Sequence, residues 1–169
     1  MKKALILPIA LLVTVAALHA QMAGAAKTSF LSSKPIISRQ FATDFPMATQ
    51  INWTKTDGYN TASFINNGEQ SHAYYNDKGV LVGTIVDKKF ASLPERAQYY
   101  ITDHYNDYDI SAVALYDDNE KEPTGLTLNS QSFDNWDHYF VRLIQKTTHQ
   151  QLMLQVTMTG DVSVYKKAK

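Results

Sequence analysis

Cysteine is absent from all 169 residues. That excludes a disulfide framework, thiolate chemistry and anchoring through a lipidated cysteine. A domain of this composition must therefore hold itself together by burying a core. Glycine and proline are sparse, at 7 and 5 residues. The glycines stand singly at turns, so no glycine-rich phosphate loop is present. Neither sign of charge is in excess, with 16 basic and 16 acidic side chains. A nucleic-acid partner would call for a basic surplus or stripe, and the sequence has neither.

What the sequence does have begins at its N-terminus. Met1-Lys2-Lys3 precedes an uncharged run from Ala4 to Leu18, and Ala20, Ala23, Gly24, Ala25 and Ala26 follow. These are the three parts of a secretory signal peptide, expected over residues 1–26. The run is shorter than the roughly 20 apolar residues of a bilayer span, so no stable span is expected after cleavage. Counting on to Ala26 makes a longer uncharged segment, and an uncleaved anchor is the alternative. Cleavage falls between Ala20 and Ala26. Removing 26 of 169 residues leaves 143, with 14 basic side chains (16 less Lys2 and Lys3) against 16 acidic. That is one ordinary domain, near neutral, expected in the periplasm or outside the cell.

Residues 27–36 are polar and read as a flexible arm, and 37–169 as a single domain. A helix fits Ser38 to Thr49, with Ser38 as cap and Phe41, Phe45 and Ala48 on one face; Pro46 should kink or end it. From Ile51 the period changes to strands, "INWTK", "YNTASFI", "SHAYY" and "VLVGTIV". They are separated by Asp57-Gly58, Asn66-Asn67-Gly68 and Asn76 to Gly79, so an antiparallel meander is predicted. Ser92-Leu93-Pro94-Glu95 has the form of a capping box. The helix it opens puts Leu93, Ala97, Tyr100, Ile101 and His104 on one face and Tyr99 on the other. "ISAVALY", "HYFVRLI", "QLMLQVTM" and "DVSVY" form a second meander, interrupted by an acidic, polar loop from Asp117 to about Asn135. The halves 37–90 and 91–169 thus read as two repeats of one helix plus an antiparallel meander, an α+β fold whose two units share a core.

The order "FPMATQINW", "YYNDKGVLVGT", "SLPERAQYYITDHYNDYDISAV" resembles the beta-lactamase-inhibitor-like (BLIP-like), PepSY-like family of secreted proteins common in Bacteroidetes. The likeness runs from about Phe41 to Tyr165. It implies helices packed on antiparallel sheet, export to the periplasm, and no catalytic residues. "EPTGLTLNSQSFDNW" departs from the pattern and reads as an insertion.

Chemistry-bearing clusters are few. Asp103, His104, Asp107 and Asp109 are close in sequence, yet an EF-hand loop begun at Asp103 would need glycine where Tyr108 stands and glutamate where Ala114 stands. A packed His104 and a solvated acidic helix end are expected instead, with no metal and no cofactor. Asp117, Asp118, Glu120 and Glu122 could hold calcium or meet a basic partner, but such charge runs are usually solvated. The nucleophile motifs of hydrolases are absent, and His72, His138 and His149 have no evident acid–base partner. The aromatics remain. Tyr100 is assigned to the core; Tyr99, Tyr105, Tyr108, Trp53 and Trp136 are candidates for contact, since such residues give large area at little entropic cost. The competing explanation makes them a wet rim of the sheet. The expected protein is a non-enzymatic binder of a protein or envelope component. One alternative is an inhibitor that probes a hydrolase with the turns at Asp57 and Asp77. The others are a ligand- or metal-responsive envelope sensor and a hydrolase with a hidden site.

Overall fold

The computed structural model describes residues 35–119, 126–128, 131–133 and 136–167. Helix α1 spans Pro35–Asp44 and is followed by strands β1 (Thr49–Thr56), β2 (Tyr59–Asn66), β3 (Glu69–Tyr75) and β4 (Leu81–Lys88). A short 3-10 turn, Phe90–Ser92, leads into α2 (Glu95–His104) and β5 (Tyr108–Asp117). The small strands β6 (Thr127–Leu128) and β7 (Gln131–Ser132) come next, then β8 (His138–Gln145), β9 (Gln151–Thr157) and β10 (Val162–Lys167). Eight strands form one sheet in the order β1-β2-β3-β4-β5-β8-β9-β10, and β6 and β7 pair as a separate ribbon. Every pairing is antiparallel.

The turns explain the meander. Asp57 and Gly58 have φ of 48° and 89°, and Asn67 and Gly68 have 51° and 82°. Two successive positive φ angles make the mirror-image turn whose twist matches paired strands. At the third turn Asn76 Oδ1 accepts from the amides of Lys78 and Val80, both at 3.0 Å, and so closes the loop from within.

Helix α1 starts three residues before the expected Ser38 cap, at Pro35, and takes in two residues of the expected arm. It stops at Asp44 because Pro46 disfavours helical backbone at the residue before it. The expected apolar face nevertheless packs, Phe41 directly and Phe45 and Ala48 at its edge. The capping box does not form. Pro94 stands at the cap without a side-chain bond, and its carbonyl receives the amides of Ala97 and Gln98. Gln98 Nε2 instead ties the entry by donating to Leu93 O at 2.8 Å.

Both helices lie on one face of the sheet. Ala73, under α1, pairs with Thr84; two and four residues on, Val86 and Lys88 keep that face, and Lys88 pairs with Val113, under α2. The expected shared core is replaced by two: Ile37 and Phe41 pack on Ala62, Phe64, Ala73, Tyr75 and Leu81, while Ala97 and Ile101 pack on Val113, Val141, Leu143 and the β9 leucines. The β4–β5 pairing joins them, so neither helix has to span both sets of strands. Ten-residue helices are marginal alone. Each is held by its buried side chains, worth about 1.5–3 kcal/mol apiece for the larger ones.

The opposite face carries a third cluster, Tyr74, Val82, Tyr116 and Phe140, covered by Leu126, Leu128 and Phe133 of the β6–β7 segment. The segment expected as a polar loop therefore supplies core. Its signal was small: Leu126 and Leu128 alternate around Thr127, a period of two over only three residues.

Candidate functional site

The C-terminal end of α2 gathers the tyrosines. Ala97 and Ile101 are buried, whereas Tyr99 is 76% and Tyr100 38% exposed. Tyr105 and Tyr108 are half-buried and rest against the α2 core. This reverses part of the sequence expectation. Tyr105 and Tyr108 fill the end of the core, and Tyr100 is left outside it. His104, expected inward, is exposed and stacks on Tyr100 with ring centres 4.0 Å apart and planes 15° apart. The rings continue from Tyr100 to Tyr105 (6.4 Å) and from Tyr105 to Tyr108 (5.8 Å, edge-on). Burial, followed by the neighbouring Tyr100 and Tyr108, pushes the Tyr105 hydroxyl above its ordinary pKa. His104 Nδ1 lies 3.0 Å from Tyr100 O and 3.4 Å from Asp103 Oδ2. Asp109, the second residue of β5, is paired opposite Ile144.

The other candidates lie elsewhere. Trp53 is half-buried against the α1 core, 5.3 Å from the Phe41 ring and 6.1 Å from Tyr75. Trp136 is 73% exposed and lines a cleft of about 580 Å³ with Asp118, Asp137, His138, Thr157, Met158 and Thr159. Asp117, Asp118 and Asp137 bring carboxylate oxygens within 4.8 Å of one another there. Tyr116 pairs with His138, so the end of β5 meets the start of β8, and Asp137 joins the two acids already noted in the sequence. Asp118 N donates to Asp137 Oδ1 at 3.2 Å. Glu120 and Glu122 lie outside the described residues.

Asp57 and Asp77 sit in alternate turns of the meander and so share one end of the sheet. Asp77 Oδ1 accepts from Asn60 Nδ2 at 3.3 Å and pairs with Lys55 at 3.7 Å. The Asp57 carboxylate adds to burial in pushing Tyr74 up to about 12. The acidic cluster and Trp136 lie at this same end, where β5 finishes and β8 starts. The tyrosines lie at the other, where β5 starts and β8 finishes, as the bond from Lys146 N to Asp107 O (3.0 Å) marks. Eight-residue β8 separates the two ends by about 25 Å.

Among the bonds described, none joins His72 or His138 to the acidic cluster, although His138 lines the cleft beside it. His72 Nδ1 is 2.9 Å from Ser63 Oγ, and its Nε2, like Thr61 Oγ1, is buried without a hydrogen-bond partner. Burial holds the His72 imidazole below its ordinary pKa. His138 Nδ1 reaches only Trp136 O, at 2.8 Å, among the bonds described.

An eight-stranded antiparallel sheet with two helices on one face defines a class, the α+β fold of the BLIP-like proteins of Bacteroides. A BLIP-like protein from Bacteroides fragilis NCTC 9343 matches with a TM-score of 0.64 at 15% identity, over 83% of this chain and 89% of that one. A DUF2874 family protein from Bacteroides ovatus ATCC 8483 matches at 0.62 and 18%, over 80% and 86%. A Bacteroides eggerthii DSM 20697 protein provisionally described as periplasmic matches at 0.63 and 13%, over 80% and 87%. At such identities the likeness establishes the fold. No family model matches the chain, and no curated protein matches it in sequence. None of the described helices is long and apolar enough to cross a membrane.

Proposed function

We propose that the chain is an exported, non-enzymatic domain, built of two helix-plus-meander units (37–90 and 91–169), that binds a protein or envelope component through exposed aromatic side chains. The observation that carries this reading is the ring surface at the end of α2, which continues without a break from exposed Tyr100 and His104 into Tyr105 and Tyr108. Each half offers its own helix and its own core, which supports the two-unit description. Of the arm expected over 27–36, residues 27–34 lie outside the described residues. Export to the periplasm is supported by the fold shared with the provisionally periplasmic protein and by the charged, apolar and small segments of 1–26.

The test is affinity capture from the organism's own envelope fraction with the exported protein, repeated with Tyr99→Ala and with Trp136→Ala separately. Both side chains are mostly exposed, so either variant should fold. Loss of one captured species in one variant is the expected result. Capture unchanged in both variants and in their combination refutes the reading.

A second reading, an inhibitor acting through its turns, is favoured by one observation. The Asp57 and Asp77 turns lie side by side and are joined through Lys55 and Asn60. Replacing Asp57 and Asp77 by asparagine should then abolish inhibition of the hydrolase concerned, without moving the melting temperature by more than about 2 °C.

A further inference from the structure

We infer that the tyrosine surface at the C-terminal end of α2 is a docking site for a basic polypeptide segment, with an arginine as its anchor. The inference rests on the reading that this domain binds through exposed aromatics. It adds which surface does so and what chemistry the partner brings.

The surface is continuous. Tyr99 and Asp103 are one helical turn apart on the outer side of α2. Asp103 approaches His104, His104 stacks on Tyr100, and the rings run on through Tyr105 to Tyr108. Between the last two tyrosines lies Asp107. Two exposed carboxylates, Asp103 and Asp107, therefore flank the rings. The C-terminal end of α2 adds the negative pole of the helix. The lysine beside the surface, Lys146, gives its ammonium to Asn106 O at 2.8 Å.

Negative charge beside the exposed Tyr99 ring selects among partners. A guanidinium stacks on a tyrosine ring and forks onto a carboxylate at once, so one arginine uses both features. A neutral glycan would use the rings but not the charge. A second copy of this chain would bring the same carboxylates against these, and an acidic segment would be repelled.

The test uses the exported protein, labelled with nitrogen-15, and three probes: a peptide alternating arginine and glycine, the same peptide with glutamate for arginine, and an oligomer of N-acetylglucosamine. The arginine peptide should shift the amides of Tyr99 to Tyr108. Its affinity should fall with salt and drop about tenfold in the Asp103→Asn, Asp107→Asn double variant, the scale of two partly exposed charge contacts. Both substituted side chains are exposed, and an unchanged spectrum beyond the surface certifies the fold. No binding of the arginine peptide, equal binding of either other probe, full affinity in the double variant, or shifts centred on Asp117, Asp118 and Asp137 overturns the inference. Envelope capture separates the two levels. If it survives Tyr99→Ala with the two asparagines but is lost with Trp136→Ala, this inference fails and the wider reading stands. If no exposed aromatic matters to capture, both fail.

Discussion

Replacing Phe133 by alanine tests whether the inserted segment is core or merely loop. The Phe133 ring is buried, 4.8 Å from the Tyr116 ring and 5.4 Å, edge-on, from Phe140. Its backbone amide donates to Leu126 O at 2.8 Å, which closes the ribbon on itself. Truncating a buried phenylalanine costs about 3–5 kcal/mol, of which each aromatic pair accounts for roughly 0.5–1.5. The β6–β7 ribbon is short, with two residues in each strand. It can relax into the space left behind, which places the cost near the lower figure, about 3 kcal/mol. For a domain of this size that corresponds to a fall in Tm of roughly 10 °C.

The assay is urea unfolding followed by circular dichroism, with the slope against urea required to match that of the unaltered protein so that the shift in midpoint reports stability alone. Hydrogen exchange adds a local readout: the amides of Leu126 and Phe133 should lose protection before those of β8. A substitution in an ordinary surface loop changes stability by less than about 0.5 kcal/mol. A loss below about 1 kcal/mol would therefore refute the claim that Leu126, Leu128 and Phe133 cover the second face of the sheet.

Two other perturbations probe the buried tyrosines. Tyr116 and Tyr74 are pushed up to about 12, in both cases first by burial, whereas the unfolded chain ionises near 10. Both states hold the proton below pH 10; between pH 10 and 12 the unfolded state loses it first, so stability should fall as pH rises, by about 1.4 kcal/mol per pH unit for each tyrosine. Tyr75, shifted the same way by burial and by its 2.9 Å bond to Asp44, should add to the fall, and a flat urea midpoint across that window would contradict the burial of these hydroxyls. Gly83→Ala would place a methyl group 2.8 Å from the Tyr116 ring and 3.4 Å from Asp117 O. With that ring buried, the overpacking should cost about 1–3 kcal/mol in a urea titration, and an unchanged midpoint would show slack at the β4 bulge.

The sequence was legible at the hairpins, where a local rule decided the outcome, and less so at the helix caps. Asp57-Gly58 and Asn67-Gly68 dictate tight hairpins whatever surrounds them, and from the hairpins follow the meander and the pairing of its alternate turns at one end. It was less legible where two elements compete for one place. By helical spacing Tyr100 and His104 belong with Ala97 and Ile101, but the chain turns back through Tyr105 and Tyr108, and these two reach the end of the core first. The inserted segment was opaque for a different reason. Its apolar residues stand singly among polar ones, and only the pre-existing patch of Tyr74, Tyr116 and Phe140 gives them somewhere to pack. Asp137 could be joined to Asp117 and Asp118 only once β5 was known to pair with β8.

The aromatic candidates were one group in the sequence and are three in space: Tyr99, Tyr105 and Tyr108 at the end of α2, Trp136 at the opposite end of the sheet, and Trp53 against the α1 core. Binding energy concentrates in a few side chains that cluster near the centre of an interface. Tyr99 and the rings beside it cannot form such a cluster with Trp136, because the length of β8, about 25 Å, lies between them. A partner anchored on the α2 surface leaves the Asp57, Asp77 and Trp136 end open, and a partner held by the turns leaves the tyrosines open. A ligand of the α2 surface and a ligand gripped by the turns therefore meet opposite ends of one sheet, and they make opposite demands on the same pair of variants. Trp136→Ala should be silent for a ligand of the tyrosine surface, and Tyr99→Ala should be silent for anything gripped by the turns. A single ligand weakened equally by both would have to span the full length of the strands, and it would refute the division into two surfaces.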